Sequence, residues 1–110
     1  MKNTLTKIYY QIRLKVKNFS LNQLKNKMYF LYILQCSDQT LYTGITTNLD
    51  RRIKEHNDSK LGAKYTKIRR PVKLVYSKTF SDRSEASKEE SKIKKLSRQQ
   101  KFDLLLKNRQ

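Results

Sequence analysis

Tyr29-Phe30-Leu31-Tyr32-Ile33-Leu34, followed after a short polar break by Thr40-Leu41-Tyr42-Thr43-Gly44-Ile45, is the stretch that decides how this chain folds. The first run is aromatic and aliphatic throughout and too short for a helix, so it reads as a strand buried on both faces. Ser37-Asp38-Gln39 supplies a tight turn, and the second run follows as an antiparallel partner that ends near Gly44. Tyr32 and Tyr42 therefore belong on neighbouring strands of a hairpin.

Thr47 with Asp50 has the spacing of a capping box and opens a helix with Leu49, Ile53 and His56 on one face, ending near Asn57 to Ser59. A basic loop with Lys60, Gly62, Lys64, Lys67, Arg69 and Arg70 leads to Pro71, after which Val72 to Phe80 forms a third strand. Asp82 with Glu85 caps a second helix through Ala86, Ile93 and Leu96, and Ser97 with Gln100 caps a third carrying Phe102, Leu105 and Leu106. The order β-β-α-β-α-α predicts an α+β fold, a small three-stranded antiparallel sheet flanked by helices, because the hairpin leaves no room for a parallel crossover.

The 110 residues suit one small domain, taken as residues 28–110, preceded by a basic extension at 1–27. Seven of the seventeen excess positive charges lie in that extension, which contains no acidic residue, and the other ten lie in the domain. Leu5, Ile8, Ile12, Val16 and Phe19 recur there at intervals of three and four, the pattern of a basic amphipathic helix. The extension has no secretory core and is rich in Lys rather than Arg, which argues against an organellar leader; Met28 could itself be a translation start.

A formal charge of +17 exceeds what solubility asks of so short a chain and points to a polyanion. Nucleic acid comes first, since each phosphate contact releases counterions. A peripheral membrane role resting on residues 1–27 is disfavoured by the short apolar face and the need for two anchoring signals. Cys36 and His56 are each the only residue of their type, which excludes an intrachain disulfide framework and a zinc finger. Cys36 closes an apolar run and reads as a small buried hydrophobe. No run is long and apolar enough to span a bilayer, so the expectation is a cytoplasmic protein without a membrane or an obligate protein partner.

Five side chains carry candidate chemistry. Arg52 and His56 are one turn apart and about 40° offset around the helix, so they can serve one site. Arg52 offers a planar fork to phosphate, and His56 either moves a proton or donates to phosphate, or is a capping or half-buried histidine near the helix end. Glu90 falls in the stripe Ala86, Glu90, Ile93 that should face the sheet, where a carboxylate needs a cation, an arginine or a metal ion; taken alone, an ordinary salt bridge to lysine is the commoner way to satisfy it. Tyr32 and Tyr42 are either packing residues or groove hydroxyls whose ionisation nearby positive charge would ease. Gly44 allows close approach by a helix or a substrate, or ends the strand.

In this order the motifs resemble the GIY-YIG nuclease superfamily, most closely its small single-domain bacterial branch, the UPF0213-like proteins. Phe30-Leu31-Tyr32 stands for the first motif and Tyr42-Thr43-Gly44 for the second, while Asn48 to His56 looks like the helix bearing the family's arginine and histidine. Gly62 to Thr66 and Pro71 to Tyr76 resemble segments of the small branch, and Ser84 to Lys101 its glutamate-bearing helix. Phe30 replaces the first motif's glycine and Thr43 the middle isoleucine of the second.

The resemblance implies a divalent-metal-dependent endonuclease acting on nucleic acid, DNA ahead of RNA, in repair or recombination. Glu90 would be the one protein ligand of Mg²⁺ or Mn²⁺, Tyr32 the base or its helper, and Tyr42 would position water or phosphate. Arg52 would neutralise the transition state, and His56 would assist. Lys64, Lys67, Arg69 and Arg70 would hold the backbone, with Gly44 and Tyr65 beside them. The competing expectation is a binding module on the same fold that grips nucleic acid without cutting it.

Overall fold

The computed structural model describes residues 28–108, so the amphipathic helix expected within residues 1–27 lies outside the described residues. Three strands, β1 (Tyr29–Gln35), β2 (Leu41–Thr46) and β3 (Lys73–Phe80), form one antiparallel sheet in the order β2-β1-β3. The first strand in sequence is thus the middle strand in space. That explains its unbroken apolar run, since both of its faces are covered and Leu31, Ile33 and Leu34 are fully buried.

Four helices complete the chain: α1 (Leu49–Asp58), the short α2 (Lys64–Lys67), α3 (Arg83–Lys94) and α4 (Arg98–Lys107). Alternation along β1 divides the core into two layers. Phe30, Tyr32 and Leu34 pack with Leu49 and Ile53 of α1 and with Val72, Cys36 and Tyr42. Leu31 and Ile33 pack on the other side with Tyr76, with Ile93 of α3 and with Leu96, Leu104 and Leu105. Val75 is an extra residue in β3, because Ile33 faces Tyr76 while the next residue, Leu34, faces Leu74. The bulge lets Leu74 join the α1 layer while Tyr76 joins the opposite one.

The expected β-β-α-β-α-α order is present, with three local differences. Asn48, not Thr47, caps α1: its side chain accepts from the Arg51 amide, and its own amide donates to the Thr46 hydroxyl. The basic loop contains the single turn α2, which has no apolar period to announce it. In α4 the residues that pack are Leu104 and Leu105, while Leu106 is 60 % exposed, so the buried face lies one residue earlier than expected. The caps read from sequence at Asp82 and at Ser97 with Gln100 are formed, the latter as a reciprocal pair. In the hairpin turn Asp38 accepts from both the amide and the hydroxyl of Thr40, and Gln39 takes the left-handed conformation at φ 71°.

Candidate active site and nucleic-acid interface

Tyr32 points from the central strand toward α1 and is almost fully enclosed. Opposite it in register is Gly44 of β2, and a Cβ there would sit 2.5 Å from the Tyr32 hydroxyl and 2.7 Å from its ring carbon Cζ. Gly44 therefore leaves space for the phenol itself, not for an incoming helix or substrate.

The Tyr32 hydroxyl lies 2.8 Å from Nε2 of the fully buried His56, whose Nδ1 lies 2.9 Å from the hydroxyl of Thr66 on α2. Thr66 donates to the Ala63 carbonyl at 2.9 Å and so accepts from Nδ1–H; the Ala63 amide, 3.4 Å from Nδ1, has the weaker claim. This assigns the tautomer in which Nε2 accepts the phenolic proton of Tyr32. Burial, with the charges of Arg52 and Arg70, pushes the His56 pKa down to about 4, so the ring is neutral near pH 7. His56 is fully buried rather than half-buried, and it links the sheet to α2 rather than capping the helix end.

Burial also pushes the Tyr32 phenol up to about 12, outweighing a hydrogen bond from Arg52 that favours the phenolate. Arg52 does favour the ionised phenol, as expected of positive surroundings, but desolvation is the larger effect. Tyr42 completes an aromatic cluster, edge-on to His56 at 5.2 Å and stacked on Tyr65 at 6.0 Å. Arg52, one turn before His56, shares Nη1 between the Glu55 carboxylate and the Leu61 carbonyl, both at 2.8 Å. Its charge also bears on Tyr32, which bonds His56, so phenol, imidazole and guanidinium act on one another.

Arg52 forms one wall of a cleft of about 330 Å³ lined also by Tyr29, Thr46, Thr47, Arg51 and Arg83, with Glu55 as its one acid. Arg51 is held by Glu55 at 3.5 Å, whereas Arg83 has no ion pair among the described residues. Sequence reasoning missed Thr66, Glu55 and Arg83. Only Arg83 left a signal, as the first residue of a helix behind a clear cap.

Glu90 comes from α3, the helix on the opposite layer, between Ala86 and Ile93 as expected. Its side chain is 22 % exposed and pairs with Lys94 at 3.2 Å, the lysine bridge the sequence allowed. Its charge also bears on Tyr32, raising the phenol pKa. No cluster of three or more His, Cys, Asp or Glu side chains suited to a metal occurs among the described residues. A lone carboxylate can serve a hard cation whose other ligands are water and phosphate oxygens.

The basic loop divides into two kinds of cation. Arg70 donates to the carbonyls of His56 at 2.7 Å, Ser59 at 2.6 Å and Glu55 at 3.3 Å, so it closes the end of α1 and is not free to hold a backbone. Arg69 pairs with Asp38 at 3.0 Å and covers the Tyr65 ring at 3.8 Å. Lys64 and Lys67 are exposed and have no ion pair among the described residues.

A three-stranded sheet carrying this tyrosine, arginine and histidine arrangement defines a class, and the chain belongs to the GIY-YIG catalytic domain family, whose description it matches over residues 28–103. The superfamily is one of nucleases, and nucleic acid is its substrate. Among relatives, a UPF0213 protein of Desulfotalea psychrophila is 62 % identical over 77 residues, 70 % of each chain. One of Syntrophus aciditrophicus is 53 % identical over 79 residues, 72 % of this chain and 91 % of its own. The solution NMR structure of a UPF0213 protein from Bacillus halodurans superposes with a TM-score of 0.51 at 44 % identity, covering 74 % of this chain and 86 % of that one. The chain is thus similar to the small single-domain GIY-YIG branch.

Proposed function

We propose that the protein is an endonuclease that hydrolyses phosphodiester bonds in DNA with the help of a divalent cation, in repair or recombination. The observation that carries this reading is the convergence of Tyr32, His56 and Arg52, reinforced by the reach of Glu90's charge to the same phenol. Arg52 binds the scissile phosphate and neutralises charge that grows on its oxygens. Tyr32 stays a neutral phenol. Its oxygen takes a proton from the attacking water while its own proton passes to Nε2 of His56, leaving imidazolium. Phosphate bound at Arg52 cancels part of the positive field that holds the His56 pKa low and so makes it a better acceptor.

Glu90, released from Lys94, would hold Mg²⁺ or Mn²⁺, which when bound supplies positive charge to the leaving oxygen. Tyr42 packs on His56 and keeps the ring aligned. Lys64 and Lys67 contact the backbone without reading sequence.

The test is cleavage of labelled DNA and RNA substrates with Mg²⁺, Mn²⁺ or chelator, comparing the native protein with Glu90→Gln, Tyr32→Phe and Arg52→Ala. The expected result is metal-dependent cleavage reduced at least about 100-fold by each change, with binding retained by Glu90→Gln. A second reading, binding without cleavage, is favoured by the ion pair that already engages Glu90. Tight binding by the native protein with no metal-dependent scission would decide for it.

A further inference from the structure

Four large apolar side chains are exposed among the described residues, and three of them, Leu61, Tyr65 and Ile68, lie within one stretch of eight residues beside the candidate site. Leu61 is 67 % and Ile68 81 % exposed. The backbone beneath them is firmly held. The Leu61 carbonyl accepts from Arg52 at 2.8 Å, and the Leu61 amide donates to the Ser59 hydroxyl at 3.0 Å. Gly62 packs so closely on α1 that a Cβ would meet the Glu55 carbonyl at 2.6 Å. Thr66 is buried on His56, and the Arg69 carbonyl accepts from the Ser37 amide at 2.9 Å. Two aliphatic tips are therefore presented outward on a segment whose inward groups grip the catalytic cluster.

Charge chooses their partner. No acidic residue occurs between Asp58 and Asp82, and Lys60, Lys64 and Lys67 around the tips are exposed without ion pairs among the described residues. Such a surface repels basic proteins and attracts a polyanion. Within DNA, the apolar matter available to a leucine or isoleucine is the base stack. Tyr65, the one aromatic side chain here, is stacked on Tyr42 and covered by Arg69, so it is not a free platform for an unpaired base. Aliphatic tips flanked by cations suit a wedge that parts a base step.

We propose that Leu61 and Ile68 form such a wedge in duplex DNA, with Lys60, Lys64 and Lys67 on the flanking phosphates. Because the Leu61 carbonyl is held by Arg52, the parted step adjoins the phosphate that Arg52 binds. The preferred substrate is then duplex that unstacks readily, such as a mismatch or a flexible pyrimidine–purine step. This inference rests on the nucleic-acid reading above but not on cleavage.

The test uses the full chain in chelator, with duplexes carrying 2-aminopurine at a matched or mismatched step, following binding by anisotropy and unstacking by fluorescence. The native protein should raise the fluorescence several-fold and bind the mismatched duplex about tenfold more tightly than the matched one. Leu61→Ser combined with Ile68→Ser, both at exposed positions, should bind the matched duplex within about threefold of the native protein while losing the fluorescence rise and most of the preference. Native binding with flat fluorescence, an unchanged preference in the double variant, or a preference for single strands over every duplex overturns the wedge and leaves the nuclease reading standing. Failure to bind any nucleic acid overturns both.

Discussion

His56 is closed off from solvent between the Tyr32 and Thr66 hydroxyls, and its pKa of about 4 lies below the ordinary value of 6.5. Between those two values the unfolded chain binds a proton that the folded protein refuses, so stability falls as pH drops from 6.5 toward 4. The loss attributable to this ring is on the order of 3 kcal/mol. Urea denaturation of the native protein and of His56→Gln across that window should show the native midpoint falling more steeply with acid; parallel slopes would remove His56 as the cause. At Gly44 the expected outcome is steric. In Gly44→Ala the methyl meets the Tyr32 phenol at 2.5 Å, and the phenol cannot turn away without leaving His56. A destabilisation of about 1–3 kcal/mol with loss of cleavage is expected, checked by thermal denaturation and a nicking assay. The one-turn spacing of Arg52 and His56 could be read directly, because side chains four apart on a helix share a side. Thr66 could not, because its link to His56 exists only once α2 has formed and turned back on α1. The ionisation state of Tyr32 was also out of reach, since it depends on how much water the core excludes.

The end of α1 is held by a side chain that resembles a phosphate ligand in sequence. Arg70 gathers the carbonyls of Glu55, His56 and Ser59; in Arg70→Ala the His56 carbonyl loses its partner, while those of Glu55 and Ser59 keep only the amides of Ser59 and Gly62. About 2 kcal/mol of stability should be lost, seen in denaturant titration, with little change in the salt dependence of DNA binding. Lys64→Ala and Lys67→Ala should do the opposite, leaving stability unchanged and each lowering the salt slope of log K by about 0.9. In a run of cations, composition alone cannot distinguish a capping arginine from a free lysine, which is why sequence grouped them. Strands and long helices were legible because burial imposes a period on them, and the caps at Asp82 and Ser97 because capping has its own residue code. The single turn of α2 and the bulge at Val75 have no period, and they arise from how neighbouring elements meet.

The described residues hold both apolar layers, the sheet and all the candidate site groups, and the described chain has no helix long and apolar enough to cross a membrane. Seven of the seventeen excess charges nevertheless precede Met28. Residues 28–110 alone should therefore unfold at the same temperature as the full chain while binding DNA with a salt slope smaller by up to about six. Calorimetry and binding at several salt concentrations check the two halves of that expectation. An early drop in the unfolding temperature would show that the extension packs on the domain. The fold class could be inferred from element order, but the division of labour between layers could not: tyrosine and histidine meet on the α1 side, and the glutamate arrives from the α3 side. The middle position of β1 has a further consequence. Tyr29, its first residue, is also part of the arginine cleft wall, so in a protein cut back to residues 28–110 a new module joined at Met28 would start beside the cleft. A sequence-reading module grafted there through a short flexible linker would operate at millimolar effective concentration, making this terminus the natural handle for redirecting where the domain acts.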